Sequence, residues 1–265
     1  MLNSAIIIFI MFVSMLGFFI KSLTVSGALA AFAVGSLISL GFGIQGLVIL
    51  GAFFLTSSLW SKYKRRDKVN VDQITEKGER RDFTQVMANG LIPSICSFMY
   101  WVYPSDYLLV AFLISISAAN SDTWASEIGS LSKKAPIHVL KLRKVEPGTS
   151  GAISLLGTFA TVCGAFLISV LGLILFKEIS IILMIIIGVS GVMGSLFDTI
   201  IGATLQVKYQ CQLCRRPTEK RIHCRKPTII VSGVGWINND LTNFLSIILA
   251  TLIGVLAVFL IELLG

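Results

Sequence analysis

The chain has 265 residues, 55% of them apolar and 14% charged, with a net charge of +8. A soluble domain carries about 25% charged residues, so this chain lacks the polar surface to cover a water-soluble globule. Its basic residues lie in connections between apolar runs, which excludes nucleic acid as a partner and leaves membrane lipids and phosphorylated ligands.

A spanning helix needs about 20 apolar residues, so spans consume most of the chain. The expectation is an all-α, polytopic transmembrane helix bundle of about eight spans, forming one integral membrane domain over residues 1–265. The opening MLNSAIIIFIMFVSMLGFF lacks a basic leading region and a small-residue cleavage site, and reads as a retained first span. Apolar runs place the spans at 4–20, 24–41, 43–60, 84–102, 106–121, 151–176, 179–203 and 242–263. Trp60 ends the third, and Tyr100, Trp101 and Tyr103 end the fourth, as interface anchors.

Every Lys and Arg except Lys177 follows an odd-numbered span. They are Lys21, the set from Lys62 to Arg81 that includes Lys77, the set from Lys133 to Lys144, and the set from Lys208 to Lys226. The positive-inside rule puts these connections in the cytoplasm and both termini outside, in a plasma-membrane protein. The even connections GFGIQG, YPSD and KE are tight turns. Gly, Ala and Ser in spans two, five, six and seven suit close helix packing.

Acids near spans are expensive and mark function. Span five ends in Asn120-Ser121-Asp122-Thr123-Trp124-Ala125-Ser126-Glu127. Span seven carries Asp198 and runs on to Gln206, and span eight opens on Asn239-Asp240 with Asn243 following. On a helix Asn120, Thr123 and Glu127 share a face, while Asp122 and Glu127 lie about 140° apart and flank a site. Carboxylates converging from three helix ends repel unless a cation neutralises them. Asp122, Asp198 and Asp240 offer the oxygen ligands that suit Mg²⁺, which bridges carboxylates to substrate phosphates. Solvated caps are the plainer reading of any one of them.

The segment Arg143-Lys144-Val145-Glu146-Pro147-Gly148-Thr149-Ser150-Gly151 is not a Walker loop. Gly148 and Gly151 let backbone N–H groups approach a phosphate, Thr149 or Ser150 can cap span six, and Arg143 and Lys144 add charge. An ordinary turn is the alternative. Within a Cys/His loop at 206–237, Cys211-x-x-Cys214 is followed by His223-Cys224. Three thiolates and one imidazole match a closed structural Zn²⁺ site able to fold a polar loop without a core. Cys96 and Cys163 lie in spans as packing residues.

SDTWASEIG, VEPGTSGAISLLGT, GSLFDTIIGATLQ and WINNDLTNFLS, in this order, resemble the integral membrane family called domain of unknown function ninety-two, over nearly the whole chain. The Cys/His insertion is similar to that of many prokaryotic members. The resemblance includes a plant phytyl-phosphate kinase, and so implies a CTP-dependent isoprenyl-phosphate kinase of lipid metabolism. It carries the family's motif positions onto Asp122, Ser126 and Glu127, onto Gly148, Thr149 and Gly151, onto Asp198, Gly202 and Gln206, and onto Asn239, Asp240 and Asn243.

Together these readings make Asp122, Glu127, Asp198 and Asp240 the catalytic acids. Asn120, Ser126, Arg143, Lys144, Gly148, Thr149, Gly151, Gln206, Asn239 and Asn243 become the substrate and phosphate contacts. A nucleoside triphosphate, CTP, is the co-substrate, with Mg²⁺ at the acids and Zn²⁺ in the loop. An ion-coupled transporter and a non-catalytic lipid-binding scaffold are the other two readings.

Overall fold

The computed structural model describes residues 4–264 except 69–73, 77 and 79. Lys77, which the sequence assigns to a cytoplasmic connection, lies outside the described residues. Side-chain caps cut the apolar runs into helices. Thr24 accepts from Gly27 N (3.1 Å), Ser154 from Gly157 N (3.1 Å) and Ser180 from Leu183 N (3.2 Å), and Asp82 closes a capping box with Gln85. The helices are α1 (Ser4–Phe19), α2 (Val25–Lys62), α3 (Phe83–Val102), α4 (Asp106–Gly129), α5 (Leu155–Leu175), α6 (Ile181–Thr204) and α7 (Asn239–Leu264). A 3₁₀ turn, Arg65–Lys68, follows α2.

Five of them, α2 and α4 to α7, are long and apolar enough to cross a membrane. α2 is two helices folded back at Gly43, whose φ of 56° and ψ of −141° only glycine adopts readily. As a straight helix its 38 residues would span about 57 Å. Instead Lys62 Nζ at one end donates to Ile20 O (2.7 Å), just before the Thr24 cap at the other. A Cβ on Gly46 would lie 2.9 Å from Ile38 Cγ2, eight residues earlier. The turn therefore falls within the GFGIQG connection expected from the sequence.

α4 is the central helix: every residue from Leu109 to Ser121 is buried. Small polar residues serve it there by bonding to neighbouring backbone, as Ser117 Oγ does to Ala165 O (3.1 Å). At one end of the bundle Phe42 packs on Phe112, Tyr100 and Phe176, with ring centroids 4.4, 4.6 and 6.0 Å away. Outward-facing Phe12, Leu29, Leu59, Phe159, Ile182 and Leu252 are exposed and form an apolar coat suited to lipid.

The long connections gather at the other, polar end. They contain short strands, so the all-α expectation needs correcting there. β1 (Ile137–His138) pairs with β2 (Ala152–Ile153). β3 (Lys208–Gln210) pairs with β4 (Pro217–Thr218) and with β7 (Ile229–Ser232), and β5 (Ile222–His223) pairs with β6 (Lys226–Pro227). Two boundaries also move. α4 continues two turns beyond the expected end at 121, keeping Asp122 to Glu127 on helix. α5 starts at Leu155, because Ala152 and Ile153 pair with β1 before Ser154 caps the helix.

Candidate functional site

At the polar end the last turns of α4 and α6, the first turn of α7, the Arg65–Lys68 turn and the Pro147–Ser154 segment enclose a cavity of about 430 Å³. α4 contributes Asp122, Ser126 and Glu127, α6 contributes Ser195, Asp198 and Gly202, and α7 contributes Asn239 and Asp240. Gly148, Thr149, Ser150 and Gly151 line it from the turn. Gly151 is required twice over. Its φ is +79°, and a Cβ there would lie 2.5 Å from Ala203 Cβ on α6. Lys208 Nζ clamps the same joint by donating to Ala203 O (3.1 Å) and Ser150 O (3.5 Å).

Two acids face each other. The Asp122 and Asp198 carboxyls, from α4 and α6, are close enough to hydrogen-bond. Ser195 Oγ donates to Asp122 Oδ1 (3.4 Å). The Asn243 amide, oriented with its nitrogen toward these acceptors, donates to Asp198 Oδ1 (2.8 Å) and Asn239 O (3.2 Å). Asp240 stands apart, accepting from Thr84 Oγ1 on Oδ2 (2.8 Å). Among the described residues the three aspartates do not bring their oxygens together as one metal-holding group. The expected trio is thus a pair plus a separate wall residue, because Asp240 at the start of α7 is held by Thr84 on α3.

Glu127, expected as a catalytic acid, lines the cavity and is itself paired. Ser61 Oγ donates to its Oε1 (2.6 Å) and Lys68 Nζ to its Oε2 (2.7 Å), with Lys68 only 2% exposed. It holds a buried cation at the cavity wall, and leaving Lys68 unpaired there would be costly. Arg143 and Lys144 are exposed and do not line the cavity; among the described residues the cations that do are Arg65 and Lys68. The Arg143–Lys144 strip is held on β1, by a bridge between Ile137 and Lys144 and by His138 N donating to Arg143 O (3.0 Å). Asn120 is wholly buried, donating to Gly164 O (2.7 Å) and accepting from Thr56 Oγ1 (3.3 Å), so it ties helices together and does not reach the cavity. Thr149 and Ser150 cap no helix, since Ser154 does.

Sequence reasoning missed Glu219. It stands between the two halves of the Cys/His motif and projects into the cavity wall. Its Oε1 accepts from Ser150 Oγ (2.5 Å) and Gln206 Nε2 (2.8 Å), its Oε2 from Glu76 N (3.4 Å). Its own N–H donates to Ile74 O (2.7 Å), as does Thr218 Oγ1 (3.0 Å). One residue thus joins the Cys/His loop, the glycine turn, the end of α6 and the 74–76 segment. The available signal was a lone acid among Arg215, Arg216, Lys220 and Arg221.

Burial raises the Glu219 carboxyl above its ordinary 4.5, with the bonds from Ser150, Glu76 and Gln206 opposing that shift. A carboxyl raised by folding binds its proton more tightly in the folded state. Its contribution to stability is therefore full below about pH 4.5 and lost as pH rises through the folded value. Glu219→Gln keeps an acceptor at Oε1 without the charge. The variant is expected to gain melting temperature relative to wild type between pH 4.5 and 7, which thermal denaturation in detergent at several pH values measures. A constant difference across that range would contradict the assignment.

The Cys/His side chains converge. One ligand atom each from Cys211, Cys214, His223 and Cys224 lies within 4.8 Å of the others. His223 Nδ1 is 3.6 Å from Cys214 Sγ and 3.3 Å from Cys224 Sγ. Backbone at positive φ, at Arg215 (59°), Cys224 (50°) and Arg225 (60°), turns the chain sharply around the group. A hydrogen bond from the Cys214 backbone draws the Cys211 thiol down to about 6, with desolvation opposing. Three sulfurs and one ring nitrogen at this spacing fit tetrahedral Zn²⁺.

Comparison with known proteins places the chain among membrane proteins. The model of the family described as integral membrane protein DUF92 matches residues 8–251. The "Uncharacterized membrane protein MJ0933" of Methanocaldococcus jannaschii is 31% identical over 232 residues, covering 87% of this chain and 83% of that protein. "Protein PGR" of Arabidopsis thaliana is 30% identical over 263 residues, covering 89% of each. "Protein VTE6, chloroplastic" of the same plant is 25% identical over 247 residues, covering 89% of this chain and 66% of that protein. No solved structure matches the chain.

Proposed function

The chain belongs to the DUF92 family of integral membrane proteins, and from that premise we propose that it is a membrane-embedded, Mg²⁺-dependent phosphotransferase. It would convert an isoprenyl monophosphate of the phytyl or geranylgeranyl type to the diphosphate, with CTP as donor. The observation that carries this reading is the facing pair Asp122 and Asp198, set in a cavity also lined by the Gly148–Gly151 turn, Arg65 and Lys68. Two apposed carboxyls need a proton or a cation between them. Mg²⁺ is usually held by one or two carboxylates plus substrate phosphates, and this pair fits that pattern. When bound, the ion would neutralise charge on the phosphate oxygens.

The chain's own residues would supply the rest. The N–H groups of the glycine turn cradle phosphate oxygens. Arg65 would balance further negative charge, while the Lys68–Glu127 ion pair forms the wall beside it. An ionised oxygen of the monophosphate attacks the terminal phosphorus of the nucleotide. The bond from that phosphorus to its bridging oxygen breaks, and the nucleoside diphosphate leaves with the electron pair. The attacking oxygen carries no proton near pH 7, so a strong base is unnecessary. Catalysis is positioning and charge neutralisation.

The eight apolar helices, counting both halves of α2, would be eight spans, with the polar end in the cytoplasm, both termini outside and the plasma membrane as host. Zn²⁺ on Cys211, Cys214, His223 and Cys224 would fold the 206–237 loop as a structural ion. The transporter reading gains no support, because the end of the bundle opposite the cavity is filled by Phe42, Tyr100, Phe112 and Phe176. The direct test supplies purified protein with geranylgeranyl phosphate, terminally labelled CTP and Mg²⁺. Labelled prenyl diphosphate is the expected product. No transfer from any nucleoside triphosphate, with solute flux in liposomes, would sink the proposal.

A further inference from the structure

Two outward-facing helix stripes run into the cavity wall. On α6 the exposed residues Ile182, Ile185, Val189, Leu196 and Ile200 recur at steps of three, four or seven and form one outward stripe. On α5 Leu155, Thr158 and Val162 do the same. Thr158 and Leu196, one from each outward stripe, also line the cavity that contains Asp122 and Asp198. Ile153, 42% exposed, lines it beside them.

A residue that belongs both to the lipid-facing stripe and to the cavity wall marks where the wall is open to lipid. Farther from the polar end the same two helices close. There a Cβ on Gly188 would lie 2.8 Å from Phe166, and one on Gly191 would lie 3.1 Å from Ala165 Cβ. α5 and α6 therefore touch along their middles and part toward the acids. Val192 and Thr161 form the floor of the gap.

We infer that this α5–α6 seam holds the hydrocarbon chain of a single-chain amphiphile whose anionic head lies in the cavity. The inference rests on the phosphotransferase reading for the head-group chemistry, and on the seam alone for the chain. The two regions match the two halves of such a molecule: Arg65, Lys68 and the glycine turn on the polar side, Ile153, Val192 and Leu196 on the apolar side. Lipid tails are as apolar as leucine, so moving a chain from bilayer to seam gains little by the hydrophobic effect. The seam acts by alignment, fixing how deep the head sits against the acids, and misplacement of a reacting group by about 1 Å can cost a hundredfold in rate.

The test reconstitutes the full chain in nanodiscs with dodecyl phosphate carrying a diazirine on its chain. Dodecanol with the same diazirine serves as the control. After irradiation, labelled peptides are mapped by mass spectrometry. Dodecyl phosphate is expected to concentrate its label on the Thr158–Val162 and Val192–Ile200 segments. Dodecanol is expected to label all outward stripes alike. Leu196→Trp should abolish the concentration and lower turnover of dodecyl phosphate about tenfold. Val189→Trp, on the same stripe beyond the floor, should change neither. Even labelling by dodecyl phosphate, or a concentrated label that Leu196→Trp leaves in place, overturns the seam. Concentrated label without phosphoryl transfer from any nucleotide leaves the seam standing and removes the kinase reading. Transfer with even labelling does the reverse.

Discussion

Asp198→Asn is expected to lower phosphoryl transfer by about 10²–10³-fold, the cost of removing one preorganised group at a developing charge. The same change should raise the melting temperature in divalent-free buffer. Both follow from one geometry. Asp122 and Asp198 face each other across the α4–α6 contact, and Asp198 already accepts from the Asn243 amide. Asparagine retains an acceptor for Asn243 while removing a buried carboxyl that needs a proton or a cation beside Asp122. Where the unliganded pair would have to give up its shared proton, the variant is spared that cost, worth about 2–4 °C for each kcal/mol relieved. The liganded protein loses a cation site. Adding Mg²⁺ should therefore stabilise wild type by mass action and leave the variant unmoved. Melting curves with and without Mg²⁺, read beside the labelled-CTP assay, check this. A variant that melts below wild type in the absence of the ion, yet responds to it equally, would place the cation elsewhere.

The second large effect concerns the Cys/His loop. Cys211→Ser is expected to lower bound zinc from about one per chain to none after dialysis, since a closed site needs four ligands. The loss of affinity should exceed the 10–100-fold that a missing outer partner typically costs. Cys211 is buried, and its backbone closes the knuckle through Cys211 N to Arg216 O (3.0 Å) and Arg215 N to Cys211 O (3.1 Å). Five residues on from Cys214, Glu219 reaches Ser150 and Gln206. Releasing the knuckle should therefore also loosen the glycine turn, seen as faster amide exchange in peptides covering 146–153. Cys163→Ser, outside the cluster, is the control and should leave zinc content and exchange unchanged. Retained zinc in Cys211→Ser would mean that these four side chains are not its ligands.

The apolar runs and the placement of the charges were legible because hydrocarbon imposes a length and a polarity on every segment that crosses it. The break at GFGIQG, the spacing of the Cys and His residues, and the acids near the ends of three helices could all be read directly. Such signals are local, and each depends on neighbours along the chain.

What only the tertiary structure decided is which local signals meet. Glu127 and Asp122 look alike in sequence, five residues apart on one helix. Yet Lys68, from a turn beyond α2, neutralises the first, and Asp198 confronts the second. Arg143 and Lys144 seemed to serve the glycine turn, but that strip is bridged to β1 and stays exposed, and Arg65 and Lys68 stand in the cavity instead. Glu219 had no motif of its own. It enters the cavity because folding of the Cys/His loop carries it there. The α5–α6 seam depends on two helices together, and exists in neither sequence segment alone. Spans are set by the solvent each residue must meet, whereas a site is set by distances between segments that the chain brings together only on folding.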